Sequence, residues 1–394
     1  MEPNKVPTSE LDLRLTNFRR EMDKAHVGWK LCCITDEVGK YYLTGTVTSG
    51  FLMIHREDYA VLWVRSGYER ATTESNFGDI RTMSGFSDVS AALAPLPDTL
   101  YLDMSFTTME WYGRFSKQLS FKNVLPADGV MSKVRSIKSE YELGFLRQAG
   151  KTLDRLLREA VPSLLQEGMS EVDLGAELYA LLLKNGHHGI MRFTGTNYLG
   201  QVSFGESTLY HTAFNGVAGI IGICPACPVL GSSKVLLRPG DIVFVDFCFG
   251  VEGYNVDKTF LISYKGSVPE HALAAHRHCI DLENKAASML RPGVKPSEIY
   301  SEILSSVRPE FKDCFMGLPG RNVSFIGHSV GLYVDEKPAI AKGFDDPLEV
   351  GMTIALEPKI AVLGVGLVGS ENTYLVTEHG GVSLTGAPMD IEVY

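Results

Sequence analysis

Long apolar runs, basic tracts and cysteine are all scarce in this 394-residue chain. Its longest uncharged apolar stretch, "GVAGIIGICPACPVLGSS", is broken by Pro225, Pro228 and several glycines, which disqualifies it as a membrane helix. Lysine and arginine number 37 against 47 acids, with a net charge of −10 and no basic run. Such a surface has little to offer a nucleic-acid backbone. Seven cysteines, an odd and sparse set lying mostly in apolar segments, give no disulfide framework and suit a reducing compartment. The amino-terminal "MEPNKVPTSELDLRL" lacks the basic-then-apolar pattern of a secretory leader. Low-complexity tracts and short tandem repeats are missing too. The expectation is a soluble, cytoplasmic protein with no nucleic-acid or membrane partner.

What is present reads as ordinary globular chain: 45% hydrophobic and 21% charged residues. Its length exceeds what one hydrophobic core normally organises, so two domains are expected, 1–132 and 133–394, meeting near "SKVRSIKSEYE". In the first, Leu11, Leu15, Phe18 and Met22 recur at helical spacing. "KYYLTG", "FLMIHREDYAVLWV" and "DTLYLDMS" read as strands, the second as a hairpin around "HREDY". In the second, Ser139 and Glu142 form a capping box that opens a helix ending at Pro162. Ser170 and Asp173 open another, ending at Gly186, and further helices are expected over 269–290 and 296–307. "GDIVFVDFCF", "GYNVDKTFLIS", "MTIALEP" and "ENTYLVTE" read as strands. Adjacent His187 and His188 follow the second helix and are expected at the surface.

Chemistry concentrates in the second domain. Asp246 and Asp257 flank "GVEG", and a hairpin centred between Val251 and Glu252 sets them directly opposite each other. Opposed Cβ atoms lie about 4.5–5.5 Å apart, so two bare carboxylates there would repel unless a cation sits between them. Glu357 and Glu371 repeat the arrangement around a turn centred on Gly364. In "GHSVGLYVDEKP", His328 is framed by Gly327 and Gly331, and the alternation through Val330, Leu332 and Val334 suggests a short strand. Four carboxylates and one imidazole make a hard, oxygen-rich donor set, large enough for two divalent ions. Mn2+, Co2+, Fe2+ and Zn2+ all fit it.

This order of residues (two aspartates, Gly-His, Glu-Pro, a last glutamate) resembles the pita-bread metallopeptidases, the group of aminopeptidase P, prolidase and creatinase. The resemblance covers nearly the whole chain. It implies an α+β protein with a creatinase-type amino-terminal α/β domain and a carboxy-terminal pita-bread catalytic domain. It also implies a dinuclear site on Asp246, Asp257, His328, Glu357 and Glu371, and a metal-bridging water that serves as hydroxide nucleophile. Glu357 matches the family glutamate that shuttles a proton to the leaving amine. Relatives are commonly homodimers.

The sequence departs from that pattern in three places. Asp335-Glu336-Lys337-Pro338 stands where the family's His-Glu-x-Pro motif has histidine, so Asp335 becomes a candidate base or cation binder. After Asp257, "DKTFLI" keeps Thr259 but lacks the usual arginine. The substrate-contacting histidine is missing from its usual place, leaving His211, ahead of a loop over 215–233, as the candidate. Cys224 and Cys227 form an isolated Cys-x-x-Cys. The expected activity is therefore an Xaa-Pro dipeptidase or aminopeptidase acting on a short peptide. The alternatives are a small-molecule enzyme on the same scaffold, similar to creatinase or to dimethylsulfoniopropionate lyases, and a non-catalytic binding module.

Overall fold

The structure, a computed structural model, describes residues 4–194 and 196–394; Gly195 and the first three residues of the stretch read for a leader lie outside them. The chain divides into two compact units, 1–135 and 136–394. Among the described residues, no helix is long and apolar enough to cross a membrane.

The amino-terminal unit is a six-stranded mixed sheet covered by helices. The helix Thr8–Ala25 buries Leu11, Phe18 and Met22. The hairpin Ser49–His55 and Ala60–Ser66 pairs antiparallel, and Thr99–Leu102 joins the same sheet beside Leu31–Ile34. One element departs from the reading above. "KYYLTG" belongs to the helix Glu37–Thr44, not to a strand. Its β-prone tyrosines are overruled by its ends. The Asp36 carboxylate accepts from the amides of Val38 and Gly39, and Gly45, at φ 73°, closes the last turn.

In the carboxy-terminal unit, helices Glu140–Leu164 and Glu171–Lys184 begin at the capping boxes of Ser139 and Ser170. Pro162 does not end the first: the helix continues to Leu164. The bond that proline removes lies in the final turn, where only two residues follow it. Helices Glu270–Met289 and Pro296–Ser306 pack beneath the sheets and bury Cys279, Leu282, Ile299 and Ile303 in the main apolar core. Above them lie two largely antiparallel arrays, the first with one short parallel edge strand, Glu392–Val393. One contains the hairpin Ile242–Val251 and Tyr254–Ser263; the other contains Phe325–Ser329, Glu336–Ala341, Thr353–Leu356 and Asn372–Thr377.

Residues 330–335 are a bend, not the expected strand. Val330, Leu332 and Val334 are buried as their alternation suggested. Their backbone, however, bonds in several directions: the Val330 amide to Thr353, the Gly331 amide to Tyr333, the Val334 amide to Arg192. With no single partner strand, no ladder forms. His187 is also not a surface residue but buried, and His188 beside it is half-buried. The Gly250 amide donates to His187 Nδ1 at 2.9 Å, and the His188 amide donates to the Gly250 carbonyl. The pair closes the end of the strand Ile242–Val251, and burial lowers His187 to about 4, so it is neutral at pH 7.

Candidate metal centre

Asp246 and Asp257 come from the first hairpin, whose turn fixes their geometry. Glu252 (φ 50°) and Gly253 (φ 92°) both lie in the left-handed region, as a tight two-residue hairpin turn requires. Val251 therefore pairs with Tyr254, and the register differs by two residues from the one expected. Asp246 faces Thr259, and Asp257 faces Cys248. A shift of two preserves the face, so the aspartates still share it but sit diagonally, which eases their repulsion.

Glu357 and Glu371 follow the expected register. Leu356 pairs with Asn372, Lys359 with Gly369, and Val362 with Gly366 around the turn at Gly364. The two hairpins are then sewn together. The Asp257 amide donates to Thr373 Oγ1 at 2.8 Å, the Thr373 hydroxyl donates back to the Asp257 carbonyl, and Thr259 Oγ1 donates to Glu371 Oε2 at 2.7 Å. Between Asp257 and Thr259, the side chain of Lys258 leaves by the opposite face. It is buried there, donating to Asn372 Oδ1 and to the Thr385 carbonyl.

His328 arrives on the strand Phe325–Ser329, paired with Ala355. A Cβ on the preceding Gly327 would lie 2.3 Å from the Ala355 carbonyl oxygen, so only glycine allows this approach. Its Nε2 stands 3.7 Å from Glu357 Oε1 and 4.0 Å from Asp257 Oδ2. Nδ1 lies 3.3 Å from the Ser329 carbonyl; donating there leaves Nε2 as the ligand atom.

The electrostatics are those of crowded, buried carboxylates. Burial, followed by repulsion from Glu371, pushes Asp257 up to about 7. Glu357 is raised mainly by burial. Burial works against charge on His328, but the carboxylates of Asp335, Glu357 and Asp257 outweigh it and hold the imidazole at about 9. A divalent ion would compete for that nitrogen and relieve the acids. The donors fit such an ion. Asp257, His328 and Glu371 each present one ligand atom, all within 4.8 Å of one another. Asp257 Oδ1 is buried with no hydrogen-bond partner among the described residues. A buried carboxylate with an unpartnered oxygen, beside two further ligand groups, is what a hard cation needs.

Asp335 is exposed and, among the described residues, accepts no hydrogen bond and pairs with no lysine or arginine. Its neighbour Glu336 is instead buried against Lys138, at 3.4 Å. His211 is exposed and its Nδ1 faces Arg321 Nη1 at 2.9 Å. The cleft they line, with Thr208, Tyr210 and Leu367, includes none of the five ligands. Cys224 and Cys227 are exposed and unpaired. The residue that the sequence reading missed is Lys359, fully buried with Nζ on Glu357 Oε2 at 2.8 Å and Glu371 Oε2 at 2.6 Å. Its position directly after Glu357-Pro358, inside an apolar strand, was the available signal.

Residues 144–378 match the Metallopeptidase family M24, and residues 14–137 match the Creatinase/Prolidase N-terminal domain. The chain is 31% identical over 277 residues to "Probable dipeptidase PepE" of Mycobacterium tuberculosis, covering 68% of this chain and 64% of that protein's length. It is 25% identical over 356 residues to the Xaa-Pro dipeptidase of Pyrococcus furiosus, covering 89% of this chain and 92% of the relative. In structure it is similar to the Xaa-Pro dipeptidase from Bacillus anthracis, with a TM-score of 0.82 over 98% of this chain and 100% of that one, at 22% identity. With residues 144–378 matching the family model and Asp257, His328 and Glu371 forming a group able to hold a metal ion, the chain belongs to metallopeptidase family M24 and carries that family's creatinase/prolidase amino-terminal domain.

Proposed function

We propose that this chain is a divalent-metal-dependent peptidase that cleaves short Xaa-Pro peptides. The observation that carries the reading is the convergence of Asp257, His328 and Glu371, one of whose buried carboxylate oxygens, Asp257 Oδ1, has no hydrogen-bond partner among the described residues. The names of two relatives, a dipeptidase and an Xaa-Pro dipeptidase, support the substrate class. A divalent ion held there would polarise the scissile carbonyl and lower the pKa of an attacking water. Glu357, with one oxygen held by Lys359 and the other free toward His328, is placed to carry a proton from that water to the leaving nitrogen. Asp335, an unpaired exposed carboxylate, offers a counter-charge to a substrate amino group. His211 and Arg321 offer a donor pair for the peptide's carboxylate. A second ion would be held by Asp246 with Glu357 and Glu371, and would have to compete with Lys359 Nζ for the oxygens of both glutamates. A cytoplasmic homodimer using manganese completes the proposal; seven free cysteines are consistent with a reducing compartment.

Asp335 also favours a second reading, a non-peptide enzyme in which this carboxylate removes a proton or binds a sulfonium. Turnover assays on Mn2+-loaded protein separate the two, pairing Xaa-Pro dipeptides and tripeptides with dimethylsulfoniopropionate. Peptide cleavage is expected, falling at least about a hundredfold in Glu357→Gln, the scale of a lost general acid–base. Cleavage of the sulfonium compound alone would replace the peptidase reading with the second.

A further inference from the structure

Lys359 is 0% exposed, and its place looks built. It pairs across the hairpin with Gly369, where an added Cβ would lie 2.4 Å from the Pro358 carbonyl oxygen, 2.7 Å from Lys359 Cα and 2.8 Å from Lys359 Cγ. The glycine lets the strands approach closely at the lysine and leaves room for the first part of its stem. Nζ then ends between two metal-ligand glutamates, donating to Oε2 of each. The same Glu371 oxygen also accepts from Thr259.

Counting acceptor atoms divides the site unequally. Toward His328 Nε2 stand Asp257 Oδ2 at 4.0 Å and Glu357 Oε1 at 3.7 Å, and Asp257, His328 and Glu371 each present one ligand atom within 4.8 Å of the others. These donors suffice to hold one ion. Glu357 Oε2 and Glu371 Oε2 are already occupied by ammonium and hydroxyl donors, so a second ion would have to draw chiefly on the Asp246 carboxylate. Two ions bridged by carboxylates need an oxygen from each bridging group on each ion, and Glu371 Oε2 already receives two donors.

We infer that Lys359 is a resident cation that takes the place of one of the two ions, so that the site holds a single divalent ion on Asp257, His328, Glu357 and Glu371. The inference rests on the metal-dependent reading above and changes its stoichiometry. Charge is consistent with it: four carboxylates against one ammonium and one divalent ion leave a single negative charge. The ammonium also fixes Glu357, because an oxygen bonded to Nζ cannot swing toward a second metal.

The test is metal content and electron paramagnetic resonance of the full chain, equilibrated with excess Mn2+ and then desalted. Wild type should retain one Mn2+ per chain and give the spectrum of an isolated ion. Lys359→Arg, which keeps a cation, should do the same. Lys359→Gly, checked by circular dichroism, should approach two per chain with an exchange-coupled spectrum. Two coupled ions in wild type would overturn the inference whatever the variants do. No retained Mn2+ in any protein would instead sink the metal-dependent reading beneath it, so the two failures are told apart.

Discussion

Asp103 in the amino-terminal unit and Asp257 in the carboxy-terminal unit are both buried aspartates, and burial pushes both up to about 7. Their surroundings differ. Asp103 is enclosed by donors from its own unit: the amides of Thr35 and Asp36 reach Oδ2 at 2.7 and 2.6 Å, and Thr35 Oγ1 reaches Oδ1 at 2.8 Å. Asp257 faces other carboxylates and keeps one oxygen without a donor. The first ties the end of one strand to the start of a helix; the second waits for something from outside the chain. A raised carboxyl is thus common to structural and functional sites, and the accounting of its partners tells them apart.

The comparison breaks most visibly at Asp257. Asp257→Asn removes a carboxylate of the candidate metal group and, on the proposed function, should weaken Mn2+ binding by more than about a hundredfold, since losing even an outer-shell partner costs 10–100-fold. Calorimetric titration checks it, and binding equal to wild type would make Asp257 another Asp103. Asp103→Asn should do the reverse, leaving metal content unchanged while lowering stability by about 1–3 kcal/mol, because an amide nitrogen would face a donor. Urea unfolding across pH sharpens this. The folded Asp103 carboxyl titrates above its ordinary value of 3.8, so its contribution is fully present below about pH 4 and is lost as pH rises through about 7. The wild-type-minus-variant difference should therefore shrink as pH rises from about 4 to about 7; a flat difference would mean Asp103 titrates normally. The smallest effect belongs to exposed Asp335. Asp335→Asn should raise KM for a substrate with a free amino group by up to about fivefold at unchanged kcat, the scale of an exposed charge pair. A kcat loss would assign it to proton transfer instead.

Much of this was legible in the sequence because ligands and turns are local. The glutamate hairpin was placed correctly because its turn, centred on Gly364, sets the two glutamates seven residues to either side. The aspartate hairpin slipped by two because "GVEG" offers two glycines, and only the left-handed Glu252 shows which pair of residues turns. Helix starts at Ser139 and Ser170 were readable from their capping boxes. Residues 330–335 and the His187–His188 pair were misjudged because distant segments supply their partners. Lys359 escaped because a lysine after Glu-Pro reads as solvated until Gly369 is seen across from it.

Lys258 lies between Asp257 and Thr259 and is buried on the reverse of the strand that carries the metal ligands. A one-residue slip during folding would turn that ammonium into the ligand ring and bury the Asp257 carboxylate against Asn372 and Thr385. Either displacement strands a charge among unsuitable neighbours. The hairpin therefore carries its own proofreading: wrong registers are penalised at both faces at once, before any ion or substrate arrives to select the right one.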